Sequence, residues 1–442
     1  MQQWLTMTAA DLGRGIGRQE IDPVALTETF LAAIKAHPEH ARVYARLTEE
    51  RALAEAGAAA ARAKAGLRRG PLDGVPVSWK DLFDTAGVAT EAGSKLLEGR
   101  VPETDALVLR NATAQGLVCL GKTHMTELAF SGLGLNPSTA TPPNVLDPAL
   151  APGGSSSGAA VSVGLGLAAA GVGSDTGGSV RVPSAWNGLT GLKTTPGRLS
   201  LDGVVPLAAK FDTVGPLCRS VEDCALMLAA LEGGKPADLT GASLAGTRLL
   251  VLDGAPFEDI REAPAKGFER AVAALEAAGA VIERRALPCT AEALALSPLL
   301  FATEAYGLWK DVIEAAPEKM YSPILERFRG GAQVSAPDYV GAWAKLERLR
   351  RDYAAATAGY DAVLLPTSPI APPDARRLLD DAAYFATENL LALRNTRIGN
   401  LFGLAVLTLP TGVPGTGISL MGAPLSEERL LRLGVAAEAA LC

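Results

Sequence analysis

The stretch from Ala151 to Pro183, APGGSSSGAAVSVGLGLAAAGVGSDTGGSVRVP, constrains the fold more than any other. It is nearly uncharged and built of small residues, so it demands burial at close range. Two clusters frame it: Gly153-Gly154-Ser155-Ser156-Ser157-Gly158 and Asp175-Thr176-Gly177-Gly178-Ser179. Hydroxyls carried on glycine turns at both ends of a buried segment suggest a nucleophile site. The run from about Ala151 to Gly173 is interrupted by Gly and Ser, which reads as core rather than as a membrane span.

The flanking sequence alternates strand and helix patterns. Asp22-Pro23 caps and starts a helix that runs to about Ala36, and an alanine-rich helix follows over 48–65. Both belong to an outer helical layer, residues 1–66. Val75 to Trp79 is a short strand with Lys80 at its end. Thr104 caps a helix over 106–115, and the next strand covers 117–120, which makes a β-α-β unit. Residues 136–152 are irregular loop. Short strands are expected at 188–193 and 203–206, and a helix capped by Ser220 over 221–231. Residues 233–244 read as a surface excursion. A second β-α-β unit covers 247–285, helical pattern dominates 291–358, and strands follow at 362–366, 405–409 and 416–421 before a last helix capped by Ser426. The expected fold is α/β: one large domain with a mixed twisted sheet and helices on both faces. A sheet broken by a helical insertion near 290–358 is the alternative.

Composition narrows the function. Hydrophobic residues make up 48% of 442, charged residues 20%, and the net charge is −7. Like charges form no block of five, which argues against nucleic acid as the main partner. The N-terminal MQQWLTMTAADLG lacks a basic region followed by an apolar core, so no signal peptide is expected. Cys119, Cys218, Cys224, Cys289 and Cys442 form no C-x-x-C pair and suit reduced thiols in a cytoplasm. The three histidines are His37, His40 and His124. The first two flank a turn, and His124 reads as a wall residue, so neither a zinc site nor a Ser-His-Asp triad is well supplied.

The serines of the two clusters are the remaining candidates for chemistry. The glycines of Asp175-Thr-Gly-Gly-Ser179 let consecutive N–H groups converge in a nest. If Ser179 attacks a carbonyl, the backbone of Thr176, Gly177, Gly178 and Ser179 is placed to hold the oxyanion. Losing one such donor costs about 3 kcal/mol of transition-state stabilisation. With histidine scarce, a desolvated lysine is the alternative base. Lys80, at a strand end among Val75, Val77 and Trp79, is the best placed, and the Gly-Gly-Ser-Ser cluster can relay the proton. The residues alone leave two readings open: a serine acyl-transfer site, or a Gly/Ser-rich loop with a solvated lysine nearby.

Five segments, in this order, resemble the amidase signature family of serine amidases. They are Gly74-Val-Pro-Val-Ser-Trp-Lys80-Asp81, Gly121-Lys122-Thr123, Pro152-Gly-Gly-Ser-Ser156, Gly173-Ser-Asp-Thr-Gly-Gly-Ser-Val-Arg181-x-Pro183 and Gly191-Leu-Lys193. Weaker matches are Pro366-Thr367-x-Pro369 and Asn400-Leu-Phe-Gly403. The resemblance implies the amidase signature fold over 1–442, with a catalytic core at 73–223 and a substrate-pocket region in the helical 291–358. It implies a Ser–Ser–Lys triad of Ser179 as nucleophile, Ser155 after a cis peptide bond as relay, and Lys80 as base. Ser156, Asp175 and Arg181 are then supporting residues. Arg327 resembles a position that holds a carboxylate in the glutaminase component of tRNA-dependent amidotransferases. No metal or cofactor is implied. The expected partner is a small-molecule amide, with no direct contact to nucleic acid or membrane, and a homodimer is compatible with it.

Three departures leave the triad untouched, and the last of them lies in the half of the chain that shapes substrate pockets. Ser157 stands where the family often has Gly, Thr194-Thr195 follows Lys193 in place of Pro-Thr, and Thr416 to Gly422 replaces the usual Leu-Pro-x-Gly-x-Gln. The implied activity is hydrolysis of a carboxamide through a serine acyl-enzyme. Alternatives are the glutaminase component of a tRNA-dependent amidotransferase, a carbamoyl- or allophanate-type hydrolase, and an inactive binding relative.

Overall fold

The computed structural model describes residues 2–441; Cys442, grouped above with the reduced thiols, lies outside them. Among the described residues, eleven strands form one mixed sheet. They are β1 (Tyr44–Leu47), β2 (Pro76–Lys80), β3 (Val118–Thr123), β4 (Ala170–Asp175), β5 (Thr190–Lys193) and β6 (Thr213–Cys218). The rest are β7 (Arg248–Asp253), β8 (Val281–Ala286), β9 (Ala362–Pro366), β10 (Ala405–Pro410) and β11 (Gly417–Gly422). The order across the sheet is β1-β3-β2-β4-β6-β5-β10-β11-β9-β7-β8. β2 pairs in parallel with both β3 and β4, and β7 pairs in parallel with both β8 and β9. The central pairings, β4–β6, β5–β6, β5–β10, β10–β11 and β9–β11, are antiparallel.

Helices cover both faces, as expected. Gly434 of helix Glu427–Leu441 packs on Leu407, whereas Gly399 of helix Ala382–Leu401 packs on Val406. Neighbouring strand residues point to opposite faces, so these two helices sandwich β10. The helical segment Pro288–Ala315, Ser322–Arg329 and Ala336–Thr357 lies between β8 and β9. It leaves the sheet unbroken, because β7 joins β8 on one side and β9 on the other.

Three strands escaped the sequence reading. β1 lies within the N-terminal helical layer and pairs antiparallel with β3 at the sheet edge. β4 and β6 are rich in Gly or interrupted by Pro, residues depleted from strands. Here closeness is what the glycines supply. A Cβ on Gly171 would lie 2.8 Å from Ala159 O, and one on Gly173 would lie 2.6 Å from Ser156 Oγ, so helix Ser157–Gly164 seats directly on β4. The segment 151–183 is thus loop, helix, strand and nest, buried almost throughout. No helix among the described residues is long and apolar enough to cross a membrane.

Other expectations need correction. Residues 203–206 form no strand, only a single bridge between Val204 and Phe83. Pro206 has no N–H to extend a ladder, and Gly203 O and Val205 N bond the 82–84 turn instead. The strand expected over 188–193 begins at Thr190. Ala106, not Thr104, occupies the N-cap of helix Leu107–Ala114. The Ser426 hydroxyl donates to Ala423 O rather than capping the helix that follows. Asp22 and Ser220 do cap, accepting from Val24 N and Ala25 N (2.9 and 3.0 Å) and from Asp223 N (3.1 Å).

Candidate active site

Parallel pairing of β2 and β4 brings their carboxyl ends together, the usual place for a site in an open α/β sheet. β2 ends on Lys80, and β4 ends on Asp175 just before the Gly-Gly-Ser nest. The loop carrying Ser155 precedes the helix seated on β4, and the peptide bond before it, Gly154–Ser155, is cis. Ser156 N donates to Ser179 O at 3.2 Å, which ties the two serine loops together.

Among the described residues, three lysines are fully buried: Lys80, Lys122 and Lys193. Lys122 pairs with Asp81 at 3.2 Å and donates to Thr90 Oγ1. Lys193 donates to the carbonyl oxygens of Thr194 and Leu404. Lys80 alone has hydroxyls as its only partners, donating to Ser155 Oγ at 2.7 Å and Ser174 Oγ at 2.8 Å. Burial draws its pKa down to about 7, against the opposing pull of Asp175 and Asp212. A buried amine that is neutral near pH 7 and touches a serine hydroxyl can take that hydroxyl's proton.

Asp175 organises the nest. Its carboxylate accepts from Gly178 N (2.9 Å), Val180 N (3.1 Å), Asn400 Nδ2 (2.9 Å), Arg181 Nε (3.0 Å) and Arg181 Nη2 (2.9 Å). Its desolvation is outweighed by Arg181, Lys193 and Asn400, which hold its pKa below the ordinary carboxylate value. Arg181, 1% exposed, also donates to Thr396 O and Asn400 Oδ1. Asp175 and Arg181 are thus spent on the nest, and neither lines the pocket beside Ser179. Gly178 must be removed from the four oxyanion donors expected from sequence, because its N–H is taken by Asp175. The N–H groups of Thr176, Gly177 and Ser179 meet no acceptor among the described residues. Ser156 also supports: its hydroxyl donates to Ser174 O (3.1 Å) and accepts from Ser174 N (3.3 Å), pinning the end of β4.

A pocket opens beside Ser179. It is lined by Thr176 and Gly177 of the nest together with Ala129, Phe130, Phe301, Leu393, Arg327 and Arg397. Phe130, Phe301 and the two arginines also line a cavity of about 400 Å³ beyond it. Arg327, expected from sequence, thus reaches the site. A cavity of about 430 Å³ around Tyr353, Phe402 and Met421 contains none of Lys80, Ser155 or Ser179 and is separate from this chemistry. His124 lines none of these spaces, and burial draws its pKa down to about 4.

Sequence reasoning missed Ser174, Asp212 and Arg397. Ser174 sits next to Asp175 but on a strand that the propensities conceal. Asp212 accepts from Thr176 Oγ1 and from Leu207 N at 2.9 Å, bracing the nest from its other side. Its pKa is raised, chiefly by burial. Arg397 lies on helix Ala382–Leu401, which the sequence reading leaves unassigned.

Fold and site together are those of an enzyme that hydrolyses carbon–nitrogen bonds. The sequence pattern of the amidase family matches residues 25–431. A 2-amino-5-chloromuconic acid deaminase of Comamonas testosteroni is 37% identical, over 98% of this chain and 96% of that protein. The A-type component of a glutamyl-tRNA(Gln) amidotransferase, from Moorella thermoacetica, is 35% identical, over 98% and 96%. A crystal structure of an amidase superposes with a TM-score of 0.88 at 31% identity, over 98% of this chain and 99% of that one. The chain belongs to the amidase family.

Proposed function

We propose that the chain hydrolyses a small carboxamide through an acyl-enzyme on Ser179. The setting of Lys80 carries this reading: it is the buried lysine hydrogen bonded to hydroxyls alone, with its pKa drawn to about 7. Neutral Lys80 takes the proton of Ser155, and Ser155 takes that of Ser179. Ser179 Oγ attacks the amide carbon, and the N–H groups of Thr176, Gly177 and Ser179 hold the oxyanion. The C–N bond then breaks as the proton returns through Ser155 to the leaving nitrogen. Water, deprotonated by the same relay, cleaves the ester and frees the carboxylic acid. A positioned base is worth roughly 10²–10⁴-fold in rate. The helices within 288–329 wall the pocket through Phe301 and Arg327, which supports a substrate-pocket role for that region.

The names of the relatives support a second reading, glutaminase within an amidotransferase, since several amidotransferase components of that type are 32–35% identical. A panel of aliphatic, aryl, carbamoyl and amino-acid amides, run with the pure chain, separates the readings. Turnover of simple amides with glutamine inert is expected for the free-standing hydrolase, in a cytoplasmic, homodimer-compatible setting. Turnover of glutamine alone, with co-purification of two further chains, would replace it with the glutaminase reading.

A further inference from the structure

Four neighbouring strands of the sheet leave a space at one end. β5 and β11 finish there, and β9 and β10 begin there, so residues 195–196, 402–404 and 421–424 run on beyond the sheet. β5 has the same sense as β4, because both pair antiparallel with β6, so this is also the sheet end that carries Lys80 and Asp175. Helix Ala336–Thr357 lies against these connections and leaves the cavity of about 430 Å³. Small-molecule sites span roughly 300–1,000 Å³.

Ala362, Val363, Phe402, Leu404 and Met421 give this cavity apolar walls. Phe402 is stacked on Tyr353 with ring centroids 4.4 Å apart, which fixes the aromatic side of the space. Tyr353 also lines it, is 3% exposed, and has a hydroxyl buried without a partner. Burial pushes that phenol above its ordinary value, so it keeps a proton to donate. A buried hydroxyl left unpaired is costly unless a ligand meets it.

Three cations and one carboxylate line the same space: Lys210, Arg350, Arg429 and Asp361. Asp361 is already engaged, accepting from Arg248 N at 2.8 Å and paired with Arg429. Arg350 donates through Nε to Leu401 O (2.7 Å) and through Nη1 to Glu347 (2.8 Å). Its Nη2 has no partner among the described residues and lies beside Gly403, 4.0 Å from where a Cβ there would stand. The Lys210 ammonium has no carboxylate within ion-pair distance among the described residues; Glu304 accepts from its backbone N–H instead, at 2.7 Å. That ammonium sits over the Trp343 ring, 4.7 Å from its centroid, and the Arg350 guanidinium is 5.5 Å from the same centroid. Lys210 and Arg350 thus form a cationic pair beside an apolar space.

We propose that this cavity is a second ligand site, separate from the pocket at Ser179, and that it binds a monocarboxylate with an apolar body. Arg350 and Lys210 take the carboxylate in charge-assisted hydrogen bonds, and the apolar walls take the body. A cationic ligand would meet only the engaged Asp361, and a polyanion would find too few free cations. The site stands independently of the hydrolase reading.

Isothermal titration calorimetry with 4-phenylbutyrate tests it, with 4-phenylbutanol as the uncharged match and 4-phenylbutylamine as the cationic one. The expected result is saturable binding with a Kd of about 1 mM or tighter, at least about tenfold weaker for the alcohol and weaker still for the amine. Arg350→Gln should weaken binding at least about tenfold, and Lys210→Gln, at an exposed position, about threefold. Ala354→Trp adds bulk to the cavity wall at an exposed helix position and should weaken binding at least about tenfold. Arg397→Gln, in the pocket beside Ser179, should leave it unchanged. Urea denaturation of each variant shows that it is folded. No saturable binding, equal affinity for the alcohol, or full affinity in either Arg350→Gln or Ala354→Trp overturns the site. Binding lost in Arg397→Gln and kept in Ala354→Trp places the ligand in the catalytic pocket and overturns it too.

Discussion

Lys80→Met should inactivate the enzyme and stabilise its fold at neutral pH. In the folded chain the Lys80 pKa lies at about 7, and its ordinary value is 10.5. Between those values the unfolded chain binds one more proton at this residue than the folded chain does. Wild-type stability therefore rises with pH across that window, by about 1.4 kcal/mol per pH unit. Methionine has no such proton, so the stability difference between the two proteins should shrink by about 2–3 kcal/mol from pH 7.5 to 9.5. Lys193 is also drawn down to about 7, but it is common to both proteins and cancels. Urea denaturation of both proteins at the two pH values measures the difference. Activity runs with the same proton: wild-type kcat/KM should climb from pH 6 and level off above pH 8, with roughly a tenth of the plateau remaining at pH 6. Parallel stability curves, or an activity inflection near pH 10, would refute a desolvated lysine base.

Asp175→Asn leaves Arg181 buried beside a neutral amide and takes the carboxylate from Gly178 N and Val180 N. It should cost about 3 kcal/mol of stability in urea denaturation and slow labelling of Ser179. Gly178→Ala puts a Cβ on a residue at φ +139° and 2.2 Å from Thr396 Oγ1. A loss of about 2–4 kcal/mol is expected, readable as a lower denaturation midpoint. Ser174→Ala removes one of the two acceptors of Lys80. It should lower kcat about tenfold and move the activity inflection to lower pH, since the protonated amine loses more than the neutral one does.

Much of the site was legible because its chemistry is local in sequence. Ser155 and Ser179 sit on glycine turns, and Lys80 stands at the end of a strand whose apolar residues announce it. Their meeting is not local: it depends on β4, whose Gly171 and Gly173 look like loop until helix Ser157–Gly164 is seen packed on them. The role of Gly178 was misassigned for a related reason. Its N–H looks free along the chain, and only the inward turn of Asp175 consumes it. Arg397 was invisible because helix Ala382–Leu401 is buried on several sides and shows little apolar periodicity to mark it. Asp212 contacts Thr176 across a β-pairing that Pro216 hides from a propensity reading.

The central claim is that Ser179 is activated through Ser155 by a lysine that is neutral near pH 7. It is tested most directly by treating wild type, Ser179→Ala, Ser155→Ala and Lys80→Met with a fluorophosphonate from pH 5.5 to 9 and mapping the adduct by peptide mass spectrometry. The expected result is a single adduct on Ser179, formed at a rate that rises through pH 7. That adduct should be absent in Ser179→Ala and slowed by roughly 10²-fold or more in the other two variants. An adduct on another residue, or a Ser179 rate in Lys80→Met equal to wild type across the pH range, would contradict it.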